Sequence, residues 1–130
     1  MSGPARRRRN PEADIQRAIV ELLRVVLPRG AIVHHSRNEE RSGGDEARRR
    51  QAIAVGMGIH PGFSDVIVLA GGRVLFLEVK APRGSLSAAQ EAFRDDVLAQ
   101  GHGWALVRSP DDTLAALAAN GFRTRLASVP

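Results

Sequence analysis

The chain has 130 residues, a mass of 14.0 kDa, 43% hydrophobic residues and 25% charged residues, values typical of one globular domain. It has no cysteine, which excludes disulfide frameworks, zinc ribbons and cysteine nucleophiles and fits a reducing compartment. Its apolar runs are shorter than a membrane-spanning segment requires, and no secretory signal is visible. We therefore expect a cytoplasmic protein without a membrane partner.

The basic charge is concentrated in the first half of the chain. Nineteen Lys and Arg residues against fourteen Asp and Glu residues give a net charge of +5. Residues 1–64 hold twelve Arg and seven acidic residues, and therefore carry the whole excess. This asymmetry favours a polyanionic partner such as nucleic acid, although a solvated basic surface is the alternative. The only lysine is Lys80. Its compact ammonium can be tuned in pKa where a guanidinium cannot.

The chain is predicted to consist of a disordered basic arm, residues 1–10, and one domain over 11–130. Asn10-Pro11 is typical of a helix start. Pro28 and Gly30 should end this helix, and a short strand is expected at 31–35. A polar loop follows over 36–45, then a shorter helix at 45–55. The buried stripe of the first helix is predicted from helical spacing as Ile15, Ala18, Ile19, Leu22 and Val26.

The second half is predicted to contain a β-hairpin followed by alternating elements. A glycine-rich approach, 56–64, precedes strands at 65–70 and 73–80, which Gly71-Gly72 joins as a two-residue turn. A helix should run from Ser87 to Gln100, a strand over 104–108, a helix over 111–119, and an edge strand over 122–129. The predicted fold class is α/β, a mixed central sheet flanked by helices.

The hairpin register brings three ionisable residues together. With Gly71-Gly72 as the turn, Asp65 lies opposite Glu78, and Lys80 shares their face of the sheet. Directly opposed carboxylates repel each other, so this arrangement favours a divalent cation between them. A lysine beside such a metal can orient the attacking water and stabilise developing charge. The alternative is a Glu78–Lys80 ion pair with Asp65 merely at a strand start.

These residues resemble the PD-(D/E)xK nuclease motif. The wider pattern is similar to the VRR-NUC family of that superfamily over roughly residues 11–119. The resemblance is carried by Gly56-Met57-Gly58, Gly62-Phe63-Ser64-Asp65, Leu77-Glu78-Val79-Lys80, Gly84-Ser85-Leu86-Ser87 with Gln90, Gly101, Ser109-Pro110-Asp111-Asp112, Glu12 with Gln16, and Asn38-Glu39. One departure is Ser64, where the motif has proline. That proline shapes the backbone and binds no metal, so the chemistry is not in question.

The resemblance implies a restriction-endonuclease-like core and a Mg²⁺-dependent DNA endonuclease, with Mn²⁺ as a substitute metal. Asp65, Glu78 and the Val79 carbonyl would hold the metal, and Lys80 would position water. Glu12 would reach the metal directly or through water, although it also suits a helix N-terminus. Gln90 would support the site, although Ser87-x-x-Gln90 is also a capping box.

The substrate is expected to be DNA, with a preference for branched or junction DNA, and stand-alone members of the family suggest a homodimer. No small-molecule cofactor is expected. The alternative is a nucleic-acid-binding module with a catalytically inactive nuclease fold. Gln16 and His60 could line the cleft, or be a surface and a structural residue. His34-His35 is more typical of structural histidines than of a metal pair. The residues predicted to bind nucleic acid are Arg6, Arg7, Arg8, Arg9, Arg37, Arg41, Arg48, Arg49, Arg83, Gln16 and His60.

Overall fold

A mixed four-stranded sheet with helices on both faces forms the protein, as expected for the α/β class. The computed structural model describes residues 10–36, 49, 53, 56, 58 and 60–128. The elements are, in chain order, α1 (Pro11–Val26), β1 (Ile32–His35), β2 (Val66–Ala70), β3 (Arg73–Val79), α2 (Ala88–Ala99), β4 (Gly103–Val107), α3 (Pro110–Ala119) and a 3₁₀ turn (Arg125–Ser128).

Side chains at the N-caps begin α1, α2 and α3 where the sequence predicts. Asn10 accepts a hydrogen bond from the Ala13 amide at 3.1 Å, ahead of Pro11. Ser109 accepts one from the Asp112 amide at 3.0 Å. Each of these bonds satisfies an amide that the helix itself leaves unpaired. The helix starts are therefore properties of local sequence.

The hairpin of β2 and β3 has the predicted register. Ala70 pairs with Arg73 and Val66 with Leu77, so the paired residue numbers sum to 143 throughout. Gly71 and Gly72 have φ angles of 57° and 75°, which a two-residue turn of this kind requires. The sheet order is β1-β2-β3-β4, antiparallel except for the parallel pair β3-β4, which α2 connects.

The two faces of the sheet are covered by different helices. Leu75, Leu77 and Val79 of β3 are fully buried in the main core with residues of α1 and α3. Phe76 points to the other face, where Phe93 of α2 lies with its ring centroid 5.4 Å away. Because side chains alternate along a strand, Glu78 points to the same face as Phe76. The sheet thus separates an aliphatic core from the face that carries the polar residues.

The buried stripe of α1 differs in part from the prediction. Ala18 is exposed, whereas Leu23 is fully buried beside Ile19. The sheet selects Ile19, Leu23 and Val26 as the inward positions. Helical spacing alone fits either set, because residues three and four apart both share a face.

The edge strand predicted at 122–129 is not formed over residues 122–128, the part of it that the structure describes. The Phe122 amide bonds to the carbonyl of Leu117 at 2.9 Å after Gly121 at φ 77°, a hydrogen-bonded turn that closes α3. Phe122 is 8% exposed and belongs to the core. A 3₁₀ turn over Arg125–Ser128 follows this anchor in place of a strand.

Part of the N-terminal half lies outside the described residues, and with it the predicted arm and most of the polar loop. Arg49, Ile53 and Gly56, which fall in or next to the helix predicted at 45–55, are helical. Over the described ranges, no helix combines the length and apolar character needed to cross a membrane.

Candidate active site

Asp65 and Glu78 meet at the end of the hairpin farthest from its turn. Asp65 immediately precedes β2, and its Oδ2 accepts a hydrogen bond from the Val79 amide at 2.9 Å. Asp65 is 7% exposed and Glu78 is 1% exposed. The predicted convergence of these carboxyl groups is therefore present, inside the protein and not on its surface.

Glu78 is the most unusual group of the site. Its pKa is raised from 4.5 to about 9, chiefly by burial and then by the hydrogen bond and charge of Asp65. Lys80 lowers it, and the charge of Glu12 adds a smaller increase. With this raised pKa, Glu78 is neutral at neutral pH and forms a hydrogen bond with Asp65. This resolves the predicted repulsion between two opposed carboxylates.

Lys80 follows β3 on the same face as Glu78. Its Nζ lies 4.0 Å from Oε2 of Glu78, and its side chain is 12% exposed. The ammonium thus lies beside the Glu78 carboxyl group and is largely shielded from water. Here its charge acts at short range on the space in front of Glu78.

Gln90 has both of the roles that its sequence position allows. Its Oε1 accepts from the Ser87 amide at 2.9 Å and Ser87 Oγ accepts from the Gln90 amide at 3.1 Å, which completes the capping box of α2. Its Nε2 donates to Oε2 of Glu78 at 3.3 Å. The helix cap therefore fixes the amide that orients Glu78.

Gly62 explains the glycine-rich approach to β2. A Cβ at this position would lie 2.2 Å from the carbonyl oxygen of Ala89, and the φ angle is 75°. Glycine is therefore required for the chain to pass against the first turn of α2. This close contact places the segment before Asp65 against the residue adjacent to Gln90.

Arg108 is a site-supporting residue that the sequence did not indicate. Its Nη1 donates to the carbonyls of Ala81 and Gly84, at 2.6 and 2.8 Å, and so fixes the loop that follows Lys80. Its amide donates to Oδ2 of Asp112 at 2.9 Å. No local pattern links residue 108 to this loop, because only the parallel pairing of β3 with β4 brings them together.

The residues present fit a hard divalent cation. Oε1 of Glu78 is buried and receives no hydrogen bond from any donor in the described ranges, and Asp65 lies beside it. Mg²⁺ commonly takes one or two carboxylates and fills its other positions with water or phosphate oxygens. Among the described residues, no three Asp, Glu or His side chains are grouped to hold a metal. Glu12 is half-buried in the first turn of α1, near enough for its charge to act on Glu78.

The other predicted residues are more dispersed. Gln16 is half-buried on α1, and Arg83 is exposed in the loop after Lys80. His60 is exposed, with its ring 5.4 Å from that of Phe93. Arg49 is exposed and helical. The predicted phosphate contacts at Arg6, Arg7, Arg8, Arg9, Arg37, Arg41 and Arg48 lie outside the described residues.

Comparison with known proteins gives the fold a name. No family model and no curated protein matches the sequence. A solved structure described as a VRR_NUC domain protein is similar over 87% of this chain and 89% of its own, with a TM-score of 0.66 and 17% identity. A second, described as a VRR_NUC domain, is similar over 88% and 100%, with a TM-score of 0.55 and 19% identity.

The chain therefore has the fold of these VRR_NUC domain structures, as the sequence motifs predict. The similarity extends over most of both chains, so it concerns the whole sheet with its helices. At 17% and 19% identity, the similarity shows a common fold and assigns no role to any residue. The candidate site is therefore argued from the geometry of Asp65, Glu78 and Lys80.

Proposed function

We propose that this protein is a metal-dependent DNA endonuclease of the VRR-NUC type. The observation that carries the proposal is the buried meeting of Asp65 and Glu78, with Lys80 at its mouth, on a nuclease fold. A purely structural sheet gains nothing from two facing carboxyl groups, since each must be desolvated. A site in which a cation replaces the proton of Glu78 does gain from two facing carboxyl groups, because both can then bind the cation.

In this proposal each residue has one task. Asp65 and Glu78 hold Mg²⁺ or Mn²⁺, with the Val79 carbonyl as a further oxygen ligand. When bound, the cation supplies a water of lowered pKa and neutralises phosphate charge. Lys80 orients the attacking water and stabilises the charge that develops on the phosphate. Gln90 keeps Glu78 in place, and Glu12 acts from α1 through water.

The test is cleavage of a labelled four-way junction and a matched linear duplex, with Mg²⁺ or EDTA. Wild type should cut only with the metal. Lys80→Ala should lower the rate by about 10²–10³-fold, as loss of a charge-stabilising group typically does. Arg17→Ala is the control, because Arg17 is an exposed cation on α1 whose partner is Asp14. Equal cutting of both substrates would support the proposed metal-dependent cleavage and contradict the proposed preference for branched DNA.

A binding module without activity is the second candidate. It is favoured by the lack of a third grouped Asp, Glu or His side chain in the described ranges. It predicts that wild type and Lys80→Ala bind DNA equally and that neither cuts it with Mg²⁺ or Mn²⁺. Metal-dependent cutting by wild type would exclude it.

A homodimer is also proposed, with the sheet edge at β1 as its interface. Ile32 of the edge strand and Leu69, its partner on β2, are 55% and 37% exposed. Two copies would supply the two sites needed to cut two strands. Ile32→Arg should convert a dimer into a monomer in sedimentation or light-scattering measurements. A wild-type monomer at micromolar concentration would contradict the proposal.

A further inference from the structure

A second basic surface lies at the end of the sheet opposite the carboxyl pair. An open cavity of about 610 Å³ at this end is lined by Arg29, Arg73 and Arg123. A second cavity, of about 470 Å³, adjoins it and is lined by Arg24 and again by Arg29. These four arginines, Arg24, Arg29, Arg73 and Arg123, are exposed, and we call them the arginine surface.

The arginine surface has no internal counter-charge in the described part of the chain. No acidic residue lines either cavity there. Among the described residues, none of the four arginines forms an ion pair, whereas Arg17 pairs with Asp14 and Arg94 with Asp95. A cluster of unpaired like charges is unfavourable for the protein alone and becomes favourable when an anion lies between them.

Helix ends account for only part of this charge. α1 and α3 both end at the arginine surface, and each helix C-terminus carries roughly half a negative charge. The two ends together offset about one positive charge, which leaves most of the four arginines uncompensated. The surface is therefore more basic than stabilisation of two helices requires.

The shape of the surface also fits a ligand. Gly30 and Gly71 line the larger cavity, and a Cβ at either position would meet nothing within 4 Å. The guanidinium of Arg73 lies across Gly121, where a Cβ would be 2.9 Å from its central carbon. The cavity is therefore open at both glycines, and the Arg73 guanidinium lies at its wall beside Gly121. Guanidinium groups match the geometry of phosphate oxygens.

The two ends of the molecule are too far apart to serve one phosphate. Glu78 lies five residue steps along β3 from Arg73, about 17 Å at the usual rise of a strand. The arginine surface is therefore a separate contact from the candidate active site, and it includes none of the arginines predicted to bind nucleic acid from sequence.

We infer that the arginine surface binds the phosphate backbone of nucleic acid as a second, non-catalytic contact. The choice of nucleic acid over other polyanions rests on the proposed function, while the existence of an anion site does not. Several arginines over two adjoining cavities suit a ligand with repeated phosphates better than a single small anion.

The test compares two double variants that each remove two positive charges. Arg29→Gln with Arg123→Gln alters the arginine surface, and Arg17→Gln with Arg94→Gln is the matched control on two paired arginines. Binding of a labelled duplex is measured in EDTA over a range of NaCl concentrations. The slope of log affinity against log salt should fall by about 1.8 in the first variant, at about 0.9 per phosphate contact. The control should keep the wild-type slope.

Several results would overturn the inference. Equal losses in the two double variants would mean that only net charge matters. No duplex binding by folded wild type would remove the contact altogether. Unchanged duplex binding with a selective loss of binding to phosphatidylserine vesicles would assign the surface to a membrane. Thermal melting confirms that both variants fold. Because the assay uses EDTA, a protein that binds in this way but never cuts DNA would refute the proposed nuclease and keep the inference.

Discussion

The two ends of β3 present opposite electrostatic environments. At one end, Glu78 is fully enclosed, and its charge is suppressed by burial and by Asp65. At the other end, Arg73 is exposed among arginines that have no ion pair within the described residues. Desolvation raises the pKa of Glu78 at the first end, whereas exposure leaves the charges of the second end open to screening by salt. β3 thus connects the candidate active site at one end to the arginine surface at the other.

The largest difference should appear in the pH dependence of stability. The pKa of Glu78 is about 9 in the folded protein against 4.5 as an unperturbed group. Its contribution to stability is complete below pH 4.5 and is lost as the pH rises to about 9. We expect the free energy of unfolding of wild type in EDTA, measured relative to Glu78→Gln, to fall by about 1.4 kcal/mol per pH unit within that window.

Chemical denaturation at several pH values checks this prediction, with Arg29→Gln/Arg123→Gln as the control from the other end of β3. That control should keep the wild-type pH dependence. Saturating Mg²⁺ should flatten the wild-type curve at high pH and leave Glu78→Gln unchanged, because metal binding replaces the proton. Parallel curves for wild type and Glu78→Gln in EDTA would contradict the assignment of a neutral Glu78.

The next largest effect concerns the close contact before Asp65. Gly62→Ala and Gly101→Ala both place a side chain at a positive φ angle, 75° and 84°. Only Gly62 would also bring a Cβ against backbone, at Ala89. We expect Gly62→Ala to destabilise the protein by about 1–3 kcal/mol more than Gly101→Ala, and to reduce cleavage further at temperatures where both are folded. Equal melting temperatures for Gly62→Ala and Gly101→Ala would show that the backbone at Ala89 shifts at little cost in free energy.

A smaller effect is expected at Arg108, which acts on Lys80 through the loop. Arg108→Gln removes the two bonds to the carbonyls of Ala81 and Gly84. We expect about 1–3 kcal/mol of destabilisation, since bonds from charged donors contribute in that range. Cleavage should fall while duplex binding in EDTA stays unchanged. Arg83→Gln, on the same loop and exposed, should instead weaken binding without changing stability.

The smallest effect should come from Ser64, the position where the nuclease motif has proline. Its side chain is fully buried, and its Oγ has no hydrogen-bond partner in the described ranges. Ser64→Ala removes an unsatisfied hydroxyl, and we expect a gain of up to about 1 kcal/mol in stability. Ser85→Ala, at an exposed position, should leave the melting temperature unchanged. A loss of stability in Ser64→Ala would indicate that the hydroxyl has a partner in solution.

The sequence by itself determined the local features of this protein. The capping residues determine where α1, α2 and α3 start, and Gly71-Gly72 determines the register of the hairpin. From that register followed the approach of Asp65, Glu78 and Lys80. These features depend on neighbours within a few residues or across a two-residue turn, so their physics can be read along the chain.

Only the tertiary structure decided the features that depend on burial and on distant partners. Spacing could not choose between Leu22 and Leu23 in α1, and it could not show that Phe122 anchors the tail. It also could not show that Arg108 would reach the loop after Lys80, or that four arginines would lie together at the far end of the sheet. The pKa of Glu78 is raised chiefly by desolvation, and desolvation depends on how completely α2 and the sheet exclude water. That exclusion is a property of the packed molecule and of no single segment.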